Sequence, residues 1–111
     1  MADIYIKLPK NEVREGSSLY ATVYFRDDNS AVVPTTARYR IDCLTTGAIM
    51  RTWTDLTPAG SVDITIDFND NAIESNYNNR ERRQITVEID AGLSTQTRNT
   101  AEWNVKNIEG F

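Results

Sequence analysis

The feature that most constrains this chain is a series of short segments in which apolar and polar residues alternate one by one. The clearest example runs from Val62 to Phe68, where every second side chain is apolar and the intervening ones are Asp63, Thr65 and Asp67. Side chains that repeat with this period lie on one face of a β-strand. The same pattern predicts seven strands, at 4–8, 19–25, 37–43, 48–53, 62–68, 85–89 and 101–105.

Composition and turn signals agree with an all-β chain. The chain contains ten Ile, seven Val and thirteen Thr but only five Leu, and β-branched residues favour strands. Turn residues separate the segments, and no longer window has the apolar spacing of a helix. We therefore expect a single domain, residues 1–111, that folds as an antiparallel two-sheet immunoglobulin-like β-sandwich of about seven strands. A small closed barrel and a jelly roll are the alternatives.

Several details of this fold can be predicted from single segments. Thr45–Gly47 reads as a turn that joins two strands into a hairpin. The polar segment Asn69–Asn79 predicts a loop in which Ile73 or Tyr77 points inward. The aromatic residues expected near the core are Tyr39, Trp53 and Trp103.

The composition excludes several classes of chemistry. The chain has no His, which excludes a His general base and His-ligated metals, and a single Cys excludes an intrachain disulfide. Cys43 lies in an apolar run, so we expect a buried, inert thiol whose nearest cations are Arg38 and Arg40. The sequence therefore predicts no enzyme, no cofactor and no metal site.

Charge and apolar content bear on partners and location. The formal net charge of -4 does not suit nucleic-acid binding. The start of the chain lacks the apolar run of a secretory signal, and no apolar stretch is long enough for a spanning helix. We expect no nucleic-acid and no membrane partner, and synthesis in a cytoplasm.

Two acidic segments admit a functional interpretation and a simpler structural one. Asp67–Asn71 matches the spacing of the calcium-binding linker motif of cadherins, but over five residues only. Asx-rich turns after a strand explain the segment more simply, because short polar side chains bond their own backbone. Asp27 and Asp28 likewise read as a hairpin turn rather than as an acid–base pair.

Four residues are candidate interaction residues: Tyr5, Arg80, Arg82 and Arg83. The arginines form the one basic cluster, which is suited to gripping an acidic partner, although a solvated strand entry is the simpler interpretation. Tyr5, with Tyr20 and Tyr24, falls on the face opposite the aliphatic residues of its strand, and tyrosine is enriched in protein interfaces. The first strand is also a candidate for pairing with a neighbour's sheet.

From Val33 onward, the order of core residues and turns resembles small immunoglobulin-like proteins of tailed bacteriophages. The segments that carry the resemblance are 33–42, 52–59, 61–66, 71–73, 81–87 and 103–107. The resemblance implies a non-enzymatic structural protein of the virion, such as a capsid decoration or stabilising protein. Its partners would be phage capsid or neck proteins, with a homo-oligomer on the particle as a further expectation. It carries over no catalytic residue.

A second hypothesis is an immunoglobulin-like adhesin module that binds a host-cell glycan or surface protein. Such a module is expected to present aromatic platforms at loop ends. Trp53 and Trp103 instead fall within strand patterns, so the virion hypothesis is preferred.

Overall fold

The structure is a computed structural model that describes residues 3–28, 30–74 and 79–107. These residues form nine strands and no helix: β1 (Asp3–Lys7), β2 (Glu12–Arg14), β3 (Leu19–Asp27), β4 (Ser30–Ala31), β5 (Ala37–Cys43), β6 (Ile49–Leu56), β7 (Ser61–Ile66), β8 (Arg80–Ile89) and β9 (Thr97–Lys106). Within these residues no helix is long and apolar enough to cross a membrane. The predicted all-β class is confirmed.

The strands form two sheets. In the first sheet, β3 lies between β1 and β7, and the short β4 pairs with the end of β3. The second sheet has the order β2-β9-β8-β5-β6. All pairs are antiparallel except β2 with β9, which is parallel. The prediction of purely antiparallel sheets is therefore wrong for the second sheet, because the chain leaves the first sheet after Pro9 and runs alongside β9 in the same direction.

The seven predicted strands are present, with shifted ends, and two further strands were not predicted. β2 and β4 contain three and two residues, which is too short for alternation to be visible. The hairpin at Thr45–Gly47 is confirmed, with Gly47 at a φ of 80° and its N–H donating to the Cys43 carbonyl at 2.8 Å. The turn at Asp27 and Asp28 is confirmed too, since Asp27 pairs with Ser30 across the β3–β4 hairpin.

The inner faces of the two sheets share one hydrophobic cluster. Phe25 and Ile66 contribute from the first sheet, and Ile85 and Trp103 from the second, all with at most 1% of their surface exposed. Burial alternates along β3 and β5 as the sequence predicts. Ile73 packs against this cluster, whereas Tyr77, the other residue expected to point inward, lies outside the described residues.

One core prediction is wrong. Tyr39 and Trp103 are buried, but Trp53 is only partly buried and lies on the outer face of the second sheet. Tyr39 pairs in register with Thr54, and the β5–β6 ladder is irregular just beyond this pair. Thr54 therefore shares the inner face with Tyr39, and its neighbour Trp53 points outward.

Candidate functional site

The outer face of the first sheet presents three tyrosines, Tyr5, Tyr20 and Tyr24, which we call the tyrosine face. Tyr5 and Tyr24 are direct cross-strand partners on β1 and β3. Tyr5 is 50% exposed and Tyr20 is 62% exposed, while the Tyr24 ring lies 5.5 Å from the Arg26 guanidinium carbon. The predicted outward orientation of the three tyrosines on β1 and β3 is confirmed, and the strand alternation is its cause.

The free edge of β1 is partly closed. Phe25 donates its N–H to Gly60 and accepts from Val32, so both of its backbone groups point away from β1. Its partner Ile4 must then direct its own N–H and C=O toward the free edge. The Asn99 side chain donates to the Ile4 carbonyl at 2.7 Å. A side chain from β9 thus occupies part of the edge that a neighbouring strand would use.

The structure separates the arginines that the sequence groups together. Arg80 donates to Glu12 at 2.9 Å, and Arg82 pairs with Glu102. Both of these arginines are exposed on the outer face of the second sheet. Arg83, one residue further along β8, is fully buried. The cluster is therefore divided by strand alternation, and solvation of all three arginines is a wrong expectation.

Arg83 instead anchors a buried polar network. Its guanidinium donates to Glu81 at 3.0 Å and to the Cys43 sulfur at 3.1 Å. It also donates to the backbone carbonyls of Asp70 and Ala72. Burial of a charge is tolerated where a partner charge and hydrogen bonds compensate it. The network fixes the loop that follows β7.

Cys43 is buried, as predicted, but its surroundings differ from the expectation. The cation that contacts its sulfur is Arg83, not Arg38 or Arg40. The Glu81 carboxylate lies 3.9 Å from the same sulfur. The difference arises because Arg38 and Arg40 alternate to the outer face of β5, whereas Arg83 faces Cys43 from β8.

The segment Asp67–Asn71 forms the predicted Asx turn. The Asp67 carboxylate accepts from the N–H of Asn69 at 3.0 Å, and Asp70 accepts from the N–H of Asp67 at 3.1 Å. Arg51 donates to both carboxylates at 3.0 Å. A guanidinium therefore lies where a cation would have to bind, and the described residues contain no group of three or more candidate metal-ligating side chains.

Burial of the Asp70 side chain has an electrostatic cost. Burial raises the pKa of its carboxyl group above the ordinary value of 3.8, and the hydrogen bond and charge of Arg51 offset only part of the rise. The pKa of Arg51 is raised by the same hydrogen bond. The hydrogen bond therefore stabilises the charged form of Arg51, which remains partly exposed. Burial still disfavours the charged form of Asp70.

The sequence did not predict the cluster around Trp53, which we call the Trp53 cluster. The guanidinium carbon of Arg38 lies 4.2 Å from the Trp53 ring centroid, and those of Arg40 and Arg98 lie at 5.6 and 5.8 Å. These are cation–π distances. The signal for the cluster was present, because Arg38 and Arg40 occupy the polar positions of the strand that forms a hairpin with Trp53.

Glu88 lies beneath these arginines and is fully buried. Arg38 donates to one of its carboxylate oxygens at 2.7 Å, and Arg98 donates to the other. Burial raises the pKa of Glu88, but the hydrogen bonds and charges of Arg98 and Arg38 outweigh it and hold the pKa below the ordinary value of 4.5. The charge of Glu88 is thus neutralised within the Trp53 cluster, and Arg38 covers the aromatic ring.

Comparisons with known proteins add no family to this picture. No protein-family model matches the chain, and a search of curated proteins finds no relative. The four candidate residues are therefore judged by geometry. Tyr5, Arg80 and Arg82 are exposed on different sheets, and Arg83 is a buried structural residue.

Proposed function

We propose that this protein is a non-enzymatic structural protein of a tailed-phage virion, a capsid decoration or stabilising protein that docks on capsid or neck subunits. The observation that carries the docking part of the proposal is the tyrosine face, where Tyr5 and Tyr20 are each at least half exposed on the outer face of the first sheet. Tyrosine combines a large contact area with a hydrogen-bonding hydroxyl, which is why it is enriched in interfaces.

The strand order supports an immunoglobulin-like sandwich as the scaffold. In such a scaffold, β1, β3 and β7 would correspond to strands A, B and E, and β9, β8, β5 and β6 to strands G, F, C and C′. The chain also departs from antibody domains, because its single Cys leaves no inter-sheet disulfide. The immunoglobulin-like arrangement is part of the proposal, together with the resemblance to phage proteins on which the virion assignment rests.

Docking through the tyrosine face is better supported than addition of a strand to β1. β1 pairs with β3 of its own sheet and buries Ile4, so it is not a free arm. Asn99 also caps the outward carbonyl of Ile4. The glycan-binding alternative gains little support, because Arg38 covers the ring of the partly exposed Trp53.

The test uses particles of a phage that encodes this protein. We expect mass spectrometry of purified particles to detect the protein, and we expect the double substitution Tyr5→Ala and Tyr20→Ala to reduce its occupancy at least about tenfold, since aromatic residues dominate interface energies. Phe68→Ala is the matched control, because Phe68 is an equally exposed aromatic outside the tyrosine face.

Two results would count against the proposal. Absence of the wild-type protein from purified particles removes the virion assignment. Full occupancy of the double variant, with an unchanged thermal midpoint, removes the tyrosine face as the docking surface.

A further inference from the structure

A groove with unneutralised positive charge lies on the far side of β2 from β9. It has a volume of about 600 Å³ and is lined by Lys10 before β2, by β2 itself, by Ser17–Tyr20 and by Lys106. Among the described residues, no carboxylate lies within 4.0 Å of Lys10, Arg14 or Lys106. The acid among the lining residues, Glu12, is paired with Arg80. The groove therefore carries three positive charges on a chain whose net charge is -4.

The strand register places like charges beside one another at this groove. Lys106 on β9 is the direct partner of Arg14 on β2 and of Arg80 on β8. Like charges directly opposite each other destabilise a sheet. Elsewhere on the outer face of the same sheet, a cation can have an acid as its cross-strand partner. Glu88, for example, is the register partner of both Arg38 and Arg98. In the row Arg14–Lys106–Arg80, Arg80 already has Glu12 as its acid, so an anionic partner would relieve the repulsion between Arg14 and Lys106.

The backbone of β2 offers hydrogen-bonding groups on the same side. Asn11 accepts from the Asn104 N–H, and Glu15 donates to the Lys106 carbonyl, so the alternate residues Glu12 and Arg14 direct their backbone groups away from β9. The Arg14 carbonyl accepts from the Ser17 N–H. The N–H and C=O of Glu12 and the N–H of Arg14 therefore point to the groove side of the strand.

We propose that this groove binds an extended acidic peptide segment of a partner protein, which adds as a strand to the free edge of β2. Carboxylates of the segment pair with Arg14, Lys106 and Lys10, and its backbone pairs with Glu12 and Arg14. A peptide fits better than a nucleic acid, because Glu12 presents a donor and an acceptor in the spacing of an extended strand, and an added peptide strand pairs with both. The phosphates that carry the charge of a nucleic acid accept hydrogen bonds only.

This inference stands apart from the virion assignment, since it concerns the chemistry of any partner strand. The probe is a seven-residue peptide with blocked ends in which glutamate and valine alternate. Its control has glutamine in place of each glutamate. We expect the acidic peptide to bind in calorimetry, the glutamine peptide to bind at least about tenfold more weakly, and higher salt to weaken the acidic peptide because it screens charge.

Hydrogen exchange locates the binding site. We expect the acidic peptide to slow amide exchange at Glu12 and Arg14, which point away from β9 in the free protein. The double substitution Arg14→Gln and Lys106→Gln should weaken binding at least about tenfold. Lys7→Gln with Arg40→Gln is the control of equal net charge, because both residues lie outside the groove. Circular dichroism verifies that each variant folds.

Several outcomes overturn the proposal. These are no binding of the acidic peptide at millimolar concentration, equal binding of the glutamine peptide, and protection of amides outside β2 only. Equal affinity of the two double variants would also overturn it. Tighter binding of a single-stranded oligonucleotide than of the acidic peptide would replace it with nucleic-acid recognition.

Discussion

At the scale of single residues, the buried charges show how this sheet surface is organised. Glu88 is fully buried, yet two arginines neutralise it, and one of them stacks on Trp53. Arg83 is fully buried on the other face of the same strand, and Glu81 neutralises it there. Both of these buried charges have an opposite charge on them, which is the condition under which burial is tolerated.

The substitution Glu88→Gln tests this pairing through its pH dependence. The pKa of Glu88 is held below its ordinary value of 4.5, so the ionised form stabilises the folded state above that value, and the contribution is lost as pH falls through the folded-state pKa. We expect the free energy of unfolding of the variant to be about 1–3 kcal/mol lower at pH 7 than that of the wild type. The loss is kept to this range because Arg38 and Arg98 are partly exposed, so that solvent screens their charges.

Urea unfolding at several pH values measures the effect. Between about pH 5 and pH 3, we expect the free energy of unfolding to fall more steeply for the wild type than for Glu88→Gln, so that the two curves converge. Curves that stay parallel over this range would show that Glu88 contributes no ionisation-linked stability.

The environments of Trp53 and Arg83 differ from those predicted for one physical reason. Residue type alone favours the core for an aromatic side chain and solvent for an arginine. Their actual faces follow from register: Trp53 is displaced outward beside an irregular ladder, and Arg83 follows the inward alternation of β8. Register depends on the partner strand, which a single segment does not specify.

At the scale of elements, β7 gives the cleanest test of alternation. Ile66 is fully buried and Thr65 next to it is exposed. We expect Ile66→Ala to cost about 2–5 kcal/mol of unfolding free energy, because it removes buried methyl groups and leaves a cavity. Thr65→Ala should cost less than about 1 kcal/mol. Denaturant unfolding of both variants measures these two losses of unfolding free energy, and equal losses would contradict the burial pattern.

Elements could be predicted as far as alternation extended. The segments around β3, β5 and β7 were identified because each keeps one apolar face for several residues. β2 was missed because three residues carry no visible period, and its parallel pairing with β9 joins distant parts of the chain. The row Arg14–Lys106–Arg80 was missed for the same reason, since only that pairing brings its members together.

At the scale of the whole molecule, charge is distributed by face rather than by segment. The outer face of the second sheet holds its cations in pairs with acids, from Arg40 with Asp42 to Arg82 with Glu102. At the corner where β2 meets β9, Arg14 and Lys106 have no ion-pair partner among the described residues. The tyrosine face lies on the opposite sheet. Tyr20 lines the groove at this corner and belongs to the tyrosine face, so the two surfaces are contiguous. One partner could therefore contact both.

The topology makes a prediction about folding speed. β1 pairs with β3, β3 with β7, β5 with β8 and β2 with β9, so most ladders join strands that are not consecutive in the chain. Closing such long loops precedes the gain from their contacts, and proteins dominated by non-local pairing fold slowly. We expect the main refolding phase to take from about a millisecond to several seconds.

Stopped-flow fluorescence measures this phase, with the buried Trp103 as its reporter. Trp53→Phe isolates that signal, because Trp53 lies on the outer face and its removal leaves the core intact. The refolding rate of this variant should match the wild-type rate within about a factor of three, since a partly exposed outer residue changes stability by only about 1 kcal/mol. Refolding that is complete within the dead time of stopped-flow mixing would mean that local contacts dominate, and it would contradict the prediction of slow folding.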